Sequence, residues 1–304
     1  MPSGVKRVLV TGLTGLIGKE LVCPLKAAGF DIHAITIDAE NPVNGVSWWK
    51  GSLFDSAFVG SVMSDVKPTH LLNMAWATTG DYLTSDVNYR FLEAGKTLAK
   101  AFVDVGGRRA VYAGTCFEYR FKERPLSESD ELEPEKNAYV TCKNKLRLAA
   151  EEIFSAASVS FGYGRIFYVY GRNEAKSRLT GMVVDKLRKG ERVVIRSGPL
   201  KKDYIYSKDI ANAFVALLDS DVRGAVNVCT GRTVTIREYV LALADRLGRR
   251  DLVVFEDDCA NQPSCVVGDP TRLTREVGYE PRYGLQQALD EIVAVSAGIS
   301  GTCS

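Results

Sequence analysis

Tyr139 and Lys143 stand four residues apart in Tyr139-Val-Thr-Cys-Lys143. On a helix that spacing puts both side chains on one face, about one turn apart. An ammonium beside a phenol favours the phenolate, whose ordinary pKa is near ~10, and so readies the tyrosine to exchange a proton with a carbonyl or alcohol near neutral pH. Taken alone, the pair is far more often a solvated helix face. A second pattern upstream changes its weight. Thr11-Gly-Leu-Thr-Gly-Leu-Ile-Gly18 follows a β-branched run, Val5 to Val10, and leads into a helical pattern reaching about Ala28. Strand, glycine loop and helix form the context of a dinucleotide fingerprint. Gly12 permits the tight turn, Gly15 lets backbone approach a pyrophosphate, and Gly18 allows close helix–strand packing. Free N–H groups near Leu16 and Ile17 would hold the phosphates.

The elements that must position these residues alternate. Strand-like runs are predicted at Asp31 to Ile37, Val46 to Trp49, Pro68 to Ala75, Arg109 to Gly114 and within Val159 to Val169. Helical patterns lie between them, one opening at Asn88 and one carrying Tyr139 to about Ser155. The alternation predicts an α/β fold, a Rossmann-type doubly wound parallel sheet, whose ligand sits beyond the C-terminal strand ends. Thr11, Ala75 and Thr115 fall at such ends. Beyond Gly171 the regularity is lost. Residues 1–172 are therefore read as mainly dinucleotide-binding and 173–304 as mainly a smaller substrate-binding lobe. A strand near 225–229 is expected to return to the main sheet. His33 and His70 fall within strands and read as packing.

Composition narrows the chemistry. The 304 residues are 46% apolar, with 39 basic against 37 acidic side chains and a net charge of +2. Such balance gives no support for nucleic-acid binding. No apolar stretch approaches the ~18 residues of a membrane span, and no signal peptide is evident, so a cytoplasmic location is expected. Seven scattered cysteines and two histidines suit reduced thiols and no bound metal.

The chain resembles the extended short-chain dehydrogenase/reductase family, the nucleotide-sugar epimerase/dehydratase/reductase group. The likeness rests on the glycine loop, Asn73-Met-Ala-Trp-Ala77, Asn88, Ala113-Gly-Thr-Cys-Phe-Glu-Tyr119, the Tyr139/Lys143 pair, Arg165 to Gly171, Lys202 to Asp209, Asp269 to Leu273 and Gly278 to Pro281. It implies roles at matching positions. Tyr139 is the general acid/base, Lys143 lowers its pKa and holds the nicotinamide ribose, and Thr115 hydrogen-bonds the substrate oxygen. Asn88 helps order the site on the substrate side. Gly12, Gly15, Leu16, Ile17 and Gly18 cradle the pyrophosphate, with Asp38, Leu53 and Ala75 as further cofactor contacts. Arg172, Lys186, Arg196 and Lys202 are candidate partners for a nucleotide-diphosphate sugar. The cofactor is NAD or NADP: Thr36 stands where an acid for the ribose is usual, and Asp38 follows two residues later. Ser52 replaces the usual aspartate near the adenine, and Lys202 stands where arginine is usual, which weakens a bidentate phosphate contact. The helices 88–105 and 138–155 either pair across a two-fold axis in a homodimer, as the resemblance implies, or are buried within one subunit.

The resemblance also sorts reactions. Dehydratases carry Asp and Glu directly after the threonine, and this chain has Cys116 and Phe117. The 3,5-epimerases need a further pair, a cysteine at the Phe117 position and a late histidine, both absent. The expectation is NAD(P)H-dependent reduction of an NDP-4-keto-6-deoxyhexose to the 4-hydroxy sugar. The alternatives are a 4-epimerase with tightly bound NAD and a non-catalytic dinucleotide sensor.

Overall fold

The computed structural model describes residues 5–37, 43–172, 174–256, 258–259 and 262–296. The first half alternates as the sequence predicts: β1 (Lys6–Thr11), α1 (Val22–Ala27), β2 (Phe30–Thr36), β3 (Ser47–Lys50), α2 (Ser56–Val66), β4 (His70–Asn73), α3 (Val87–Asp104), β5 (Arg109–Thr115), α4 (Ala138–Ala156) and β6 (Ser160–Ile166). The second half carries β7 (Tyr168–Tyr170), α5 (Leu179–Arg188), β8 (Val193–Ile195), β9 (Lys201–Lys202), β10 (Tyr204–Tyr206), α6 (Ser207–Leu218), β11 (Gly224–Val228) and α7 (Ile236–Arg246).

Seven strands form one sheet in the order β11-β6-β5-β4-β1-β2-β3. Every neighbouring pair is parallel. The order reverses between β1 and β4, so a crevice opens at their C-terminal ends, the topological switch point of such sheets. Period-two alternation sends Val8 and Val10 of β1 to one face and Leu9 to the other. The first face packs on α1 and α6, the second on α2, α3 and α4. With both faces covered, β5 is buried along its whole length, as parallel strands require.

The helical pattern after the glycine loop is not continuous. A 3-10 turn covers Gly18–Glu20, and α1 begins at Val22. Pro24, lacking an N–H, is tolerated in the first turn of α1, where that donor has no intrahelical partner.

β11 lies beside β6 at the sheet edge, so residues 224–228 belong with the first half. The rest of the second half has its own core, in which Val183, Leu187, Tyr239, Val240 and Leu289 are buried around the short pair β8 and Val253–Phe255. His33 accepts from the Trp49 indole at 3.2 Å, and His70 packs edge-on against Phe30. Burial holds His70 neutral, with its pKa depressed to about 4. Cys116, Cys142, Cys229, Cys259 and Cys265 are free thiols. Among the described residues no helix is long and apolar enough to cross a membrane, and no cluster of His, Cys, Asp or Glu could hold a metal ion.

Candidate active site

The glycine loop forms the floor of the crevice. Gly12 has φ +76°, and a Cβ there would stand 2.7 Å from the Ala75 nitrogen, so the chain leaving β4 passes directly over it. A Cβ on Gly18 would lie within 2.6 Å of the Leu13 carbonyl carbon. Gly15 differs: its nearest neighbour would be the Gly12 oxygen at 3.3 Å, and the remaining space is open to the crevice. That open side, with backbone rather than side chain presented to it, is a cradle of the kind a pyrophosphate needs. Gly15→Ala should therefore weaken dinucleotide binding by about tenfold or more while changing stability by no more than ~0.5 kcal/mol. Gly18→Ala should instead destabilise the fold by about 1–3 kcal/mol through overpacking. Fluorescence titration with the dinucleotide and urea unfolding of both variants separate these outcomes.

The crevice has a volume of about 590 Å³. Lys19, Lys143, Arg172 and Arg178 line it, and no lining residue among those described is a carboxylate or an imidazole. A lining that presents cations and no carboxylate of its own suits an anionic ligand, although Arg172 and Arg178 are each paired behind it with Glu20 and Glu174. Gly12, Gly15, Leu16, Ile17, Gly18, Leu53 and Ala75 line it too, as do Thr115 and Tyr139. Asp38 lies outside the described residues. Ser52 caps its own turn, accepting from the Phe54 N–H at 3.1 Å.

Thr115 ends β5 and opens a short 3-10 turn, Cys116–Glu118. Its hydroxyl accepts from the Phe117 N–H at 3.3 Å, and Glu118 Oε1 accepts the Thr115 N–H at 3.0 Å. This reciprocal capping box fixes the threonine where the strand stops. Tyr139 sits in the first turn of α4, which Asn137 caps by accepting from the Val140 N–H. Its phenol hydrogen-bonds the Thr115 hydroxyl. Lys143, one turn on, is 4% exposed.

The two groups do not meet as their spacing suggests. Lys143 Nζ donates to the Ala113 carbonyl at 2.8 Å and stands 5.9 Å from the centre of the Tyr139 ring. Burial is the largest influence on both. It lowers the Lys143 pKa to about 7, against the pull of Glu118, and raises that of Tyr139 well above the usual phenol, with Thr115 opposing. The expected lowered phenol is thus corrected: the crevice holds Tyr139 as the protonated acid.

Several substrate-side expectations are corrected as well. Asn88 is fully buried and engaged: it accepts from Trp76 Nε1 at 2.7 Å and donates to the carbonyls of Tyr82 and Ser85. It orders the wall and offers no surface to a ligand. Lys186 on α5 and Arg196 after β8 are not among the lining residues, and Arg196 pairs with Glu256 at the surface. Lys202 is 5% exposed and one layer back, its Nζ 5.2 Å from the ring centre of Tyr168, which does line the crevice. Arg172 lines the crevice but is held by both carboxylate oxygens of Glu20 at 2.8 Å.

The structure adds residues that sequence reasoning passed over. Arg178 bridges the lobes, bonding Glu174 at 3.1 Å and the Thr78 carbonyl at 3.2 Å. Trp76, Tyr82, Phe117 and Tyr168 give the crevice aromatic walls around Tyr139. Tyr82 meets Tyr139 edge-on at 5.1 Å, and Phe117 meets Tyr168 at 5.8 Å. Trp76 lies inside the Asn73–Ala77 turn, where a large ring among small residues was the available signal. Cys116 is buried with its thiol pushed up by desolvation, which suits packing.

Known proteins resemble this chain over most of its length. Residues 8–229 match the model described as the NAD dependent epimerase/dehydratase family. The dTDP-4-dehydro-6-deoxyglucose reductase of Escherichia coli is 23% identical, over 94% of this chain and 96% of its own length. The dTDP-6-deoxy-L-talose 4-dehydrogenase (NAD(+)) of Aggregatibacter actinomycetemcomitans is 25% identical, over 77% and 87%. Among solved structures, UDP-glucose 4-epimerase of Thermus thermophilus in complex with NAD superposes with a TM-score of 0.82 at 25% identity, covering 94% of this chain and 98% of that one. UDP-glucose 4-epimerase of Thermotoga maritima with UDP-glucose gives 0.86 at 19% identity, over 96% and 99%, a likeness of fold.

Proposed function

Because the chain belongs to the NAD-dependent epimerase/dehydratase family, we propose that it reduces an NDP-4-keto-6-deoxyhexose to the 4-hydroxy sugar with a reduced nicotinamide dinucleotide. The observation that carries this reading is a protonated phenol, Tyr139, hydrogen-bonded to Thr115 in a crevice whose described lining holds no carboxylate or imidazole. Reduction of a ketone needs a hydride at carbon and one proton at oxygen. The nicotinamide supplies the hydride when bound. Tyr139 gives the proton to O4, and the Thr115 hydroxyl orients that oxygen. Elimination of a 6-hydroxyl, or proton removal at carbons 3 and 5, would need a base that this lining lacks. The residues fit the dinucleotide through the Gly15 cradle and the helix-start N–H groups of Leu16 and Ile17.

The second lobe supports a diphosphate at the mouth. Arg178 and Arg172 both line the crevice, and each would share its guanidinium between the diphosphate and its own carboxylate, Glu174 or Glu20. Lys202 would act from behind Tyr168 as a point charge.

The 4-epimerase reading keeps the same first step and is favoured by the solved structures it resembles in fold. One assay separates the two. The purified protein is given NADH or NADPH and a dTDP-4-keto-6-deoxyglucose, and reduced cofactor is followed at its absorbance band. One equivalent consumed per 4-hydroxy sugar formed is expected. Interconversion of two NDP-hexoses by bound NAD with no net consumption would replace this reading with epimerisation, and dinucleotide binding with neither activity would indicate a sensor.

A further inference from the structure

We propose that Trp76 is a positioning residue whose indole face holds the Lys143 ammonium charged and aimed at the catalytic end of the crevice. The inference rests on Lys143 serving the proposed redox site, but its test does not require turnover.

Lys143 Nζ lies 3.9 Å from the centre of the Trp76 ring, against 5.9 Å for that of Tyr139. A cation over an indole face is attracted by the ring quadrupole, most strongly where water is excluded. Lys143 has three donors, one of which the Ala113 carbonyl accepts at 2.8 Å. The indole supplies a second favourable direction for the charge. The ring is not free to drift. Its Nε1 donates to Asn88, itself buried and held by two carbonyls, and its other neighbours are Phe91, stacked at 5.3 Å and 24°, and Tyr139, edge-on at 6.2 Å. Asn88, Trp76 and Lys143 thus form a continuous chain from the start of α3 to the first half of α4. This gives Asn88 a role distinct from ligand contact.

The other groups that bear on Lys143 are few. Glu118, from the turn after β5, raises its basicity and is shared with Arg165. Tyr139, on the same helix, and Tyr163, on β6 with its hydroxyl 3.4 Å from the Lys143 carbonyl, are both held neutral by burial. Against desolvation, the Ala113 carbonyl, the indole and Glu118 favour the charged amine.

The test titrates Lys143 directly by NMR of protein carrying 13C at lysine Cε, the signal being assigned by its loss in Lys143→Met. Trp76→Leu should move the Lys143 titration about one pH unit toward acid, the size expected of a desolvated cation–π contact. Trp76→Phe, which keeps a smaller π face, should move it less. Where substrate turnover is measurable, the pH limb of kcat/KM that reports Lys143 should shift in the same direction and order. An unchanged Lys143 titration in Trp76→Leu overturns the proposal, as does an equal shift in both variants. Should Trp76→Leu not fold, the unsubstituted protein decides: its tryptophan emission should change with pH near the Lys143 midpoint, and that change should vanish in Lys143→Met. The same pH response in both proteins, with Trp48 and Trp49 as its source, would sink the idea. Lack of activity toward the deoxysugar, with these titrations intact, would count against the proposed function alone.

Discussion

Tyr139→Phe should reduce hydride transfer to the 4-keto sugar by roughly 10³-fold, within the range typical of a lost general acid, while leaving dinucleotide affinity within about twofold. The physical case starts from what the substitution keeps. The Tyr139 ring is 7% exposed and packs edge-on against Tyr82 and Trp76, contacts a phenylalanine would preserve. It removes one hydroxyl, the group that hydrogen-bonds Thr115. Because burial holds that hydroxyl protonated, its loss removes a proton donor and not a charge, so the electrostatics of the dinucleotide cradle should be unaffected. Tyr82→Phe is the control, since Tyr82 is a neighbouring phenol on the same wall. It should keep turnover within a few fold. Single-turnover decay of reduced cofactor measures both. A Tyr139→Phe enzyme with a tenth or more of the original rate would show that the proton comes from elsewhere, and a slow Tyr82→Phe enzyme would name the source.

The parts of the site that could be read from the sequence are those set by local geometry. Glycines after a strand must turn tightly, and residues four apart on a helix must share a face. The doubly wound sheet followed from strand–helix alternation, and its order placed Thr11, Ala75 and Thr115 at one set of strand ends. What resisted reading depends on long-range packing. Lys143 turns to the Ala113 carbonyl on β5 and lies over the Trp76 ring, which Asn88 of α3 holds, so its neighbours come from elements distant in sequence. Nothing in the spacing of Tyr139 and Lys143 carries that information. The direction of the Tyr139 shift escapes the spacing for the same reason, since desolvation outweighs a single charge once both groups leave water. The cations of the second lobe show the same limit. Arg178, Lys186 and Arg196 are equivalent by composition, yet of these three only Arg178 reaches the crevice, because it caps α5 beside the Thr78 loop.

Arg165→Met should destabilise the protein by about 3–5 kcal/mol, the usual consequence of leaving a buried charge without its partner. Arg165 and Glu118 have side-chain exposures of 3% and 0% and meet at 2.9 Å. The pair is embedded in a network, and that makes its loss unusually disruptive. Glu118 also accepts from the Tyr163 hydroxyl at 2.7 Å and from the Thr115 N–H, while Arg165 also donates to the Tyr119 hydroxyl, which in turn donates to Asn227 on β11. Three sheet strands and Thr115 are therefore tied to one carboxylate. In the single variant Glu118 keeps hydroxyl and N–H donors but loses its countercharge, and the buried anion must be tolerated or protonated. Glu118→Gln combined with Arg165→Met removes both charges and leaves an amide that still accepts from Thr115. The double variant should therefore recover about half of the loss. Urea unfolding of the two proteins measures this directly. A single variant within ~1 kcal/mol of the parent would mean that the network, rather than the countercharge, carries the stability. A double variant no better than the single would mean that the arginine's hydrogen bonds matter more than its charge. Either result would also bear on catalysis, because the carboxylate that needs Arg165 is the one that fixes Thr115 at the end of β5.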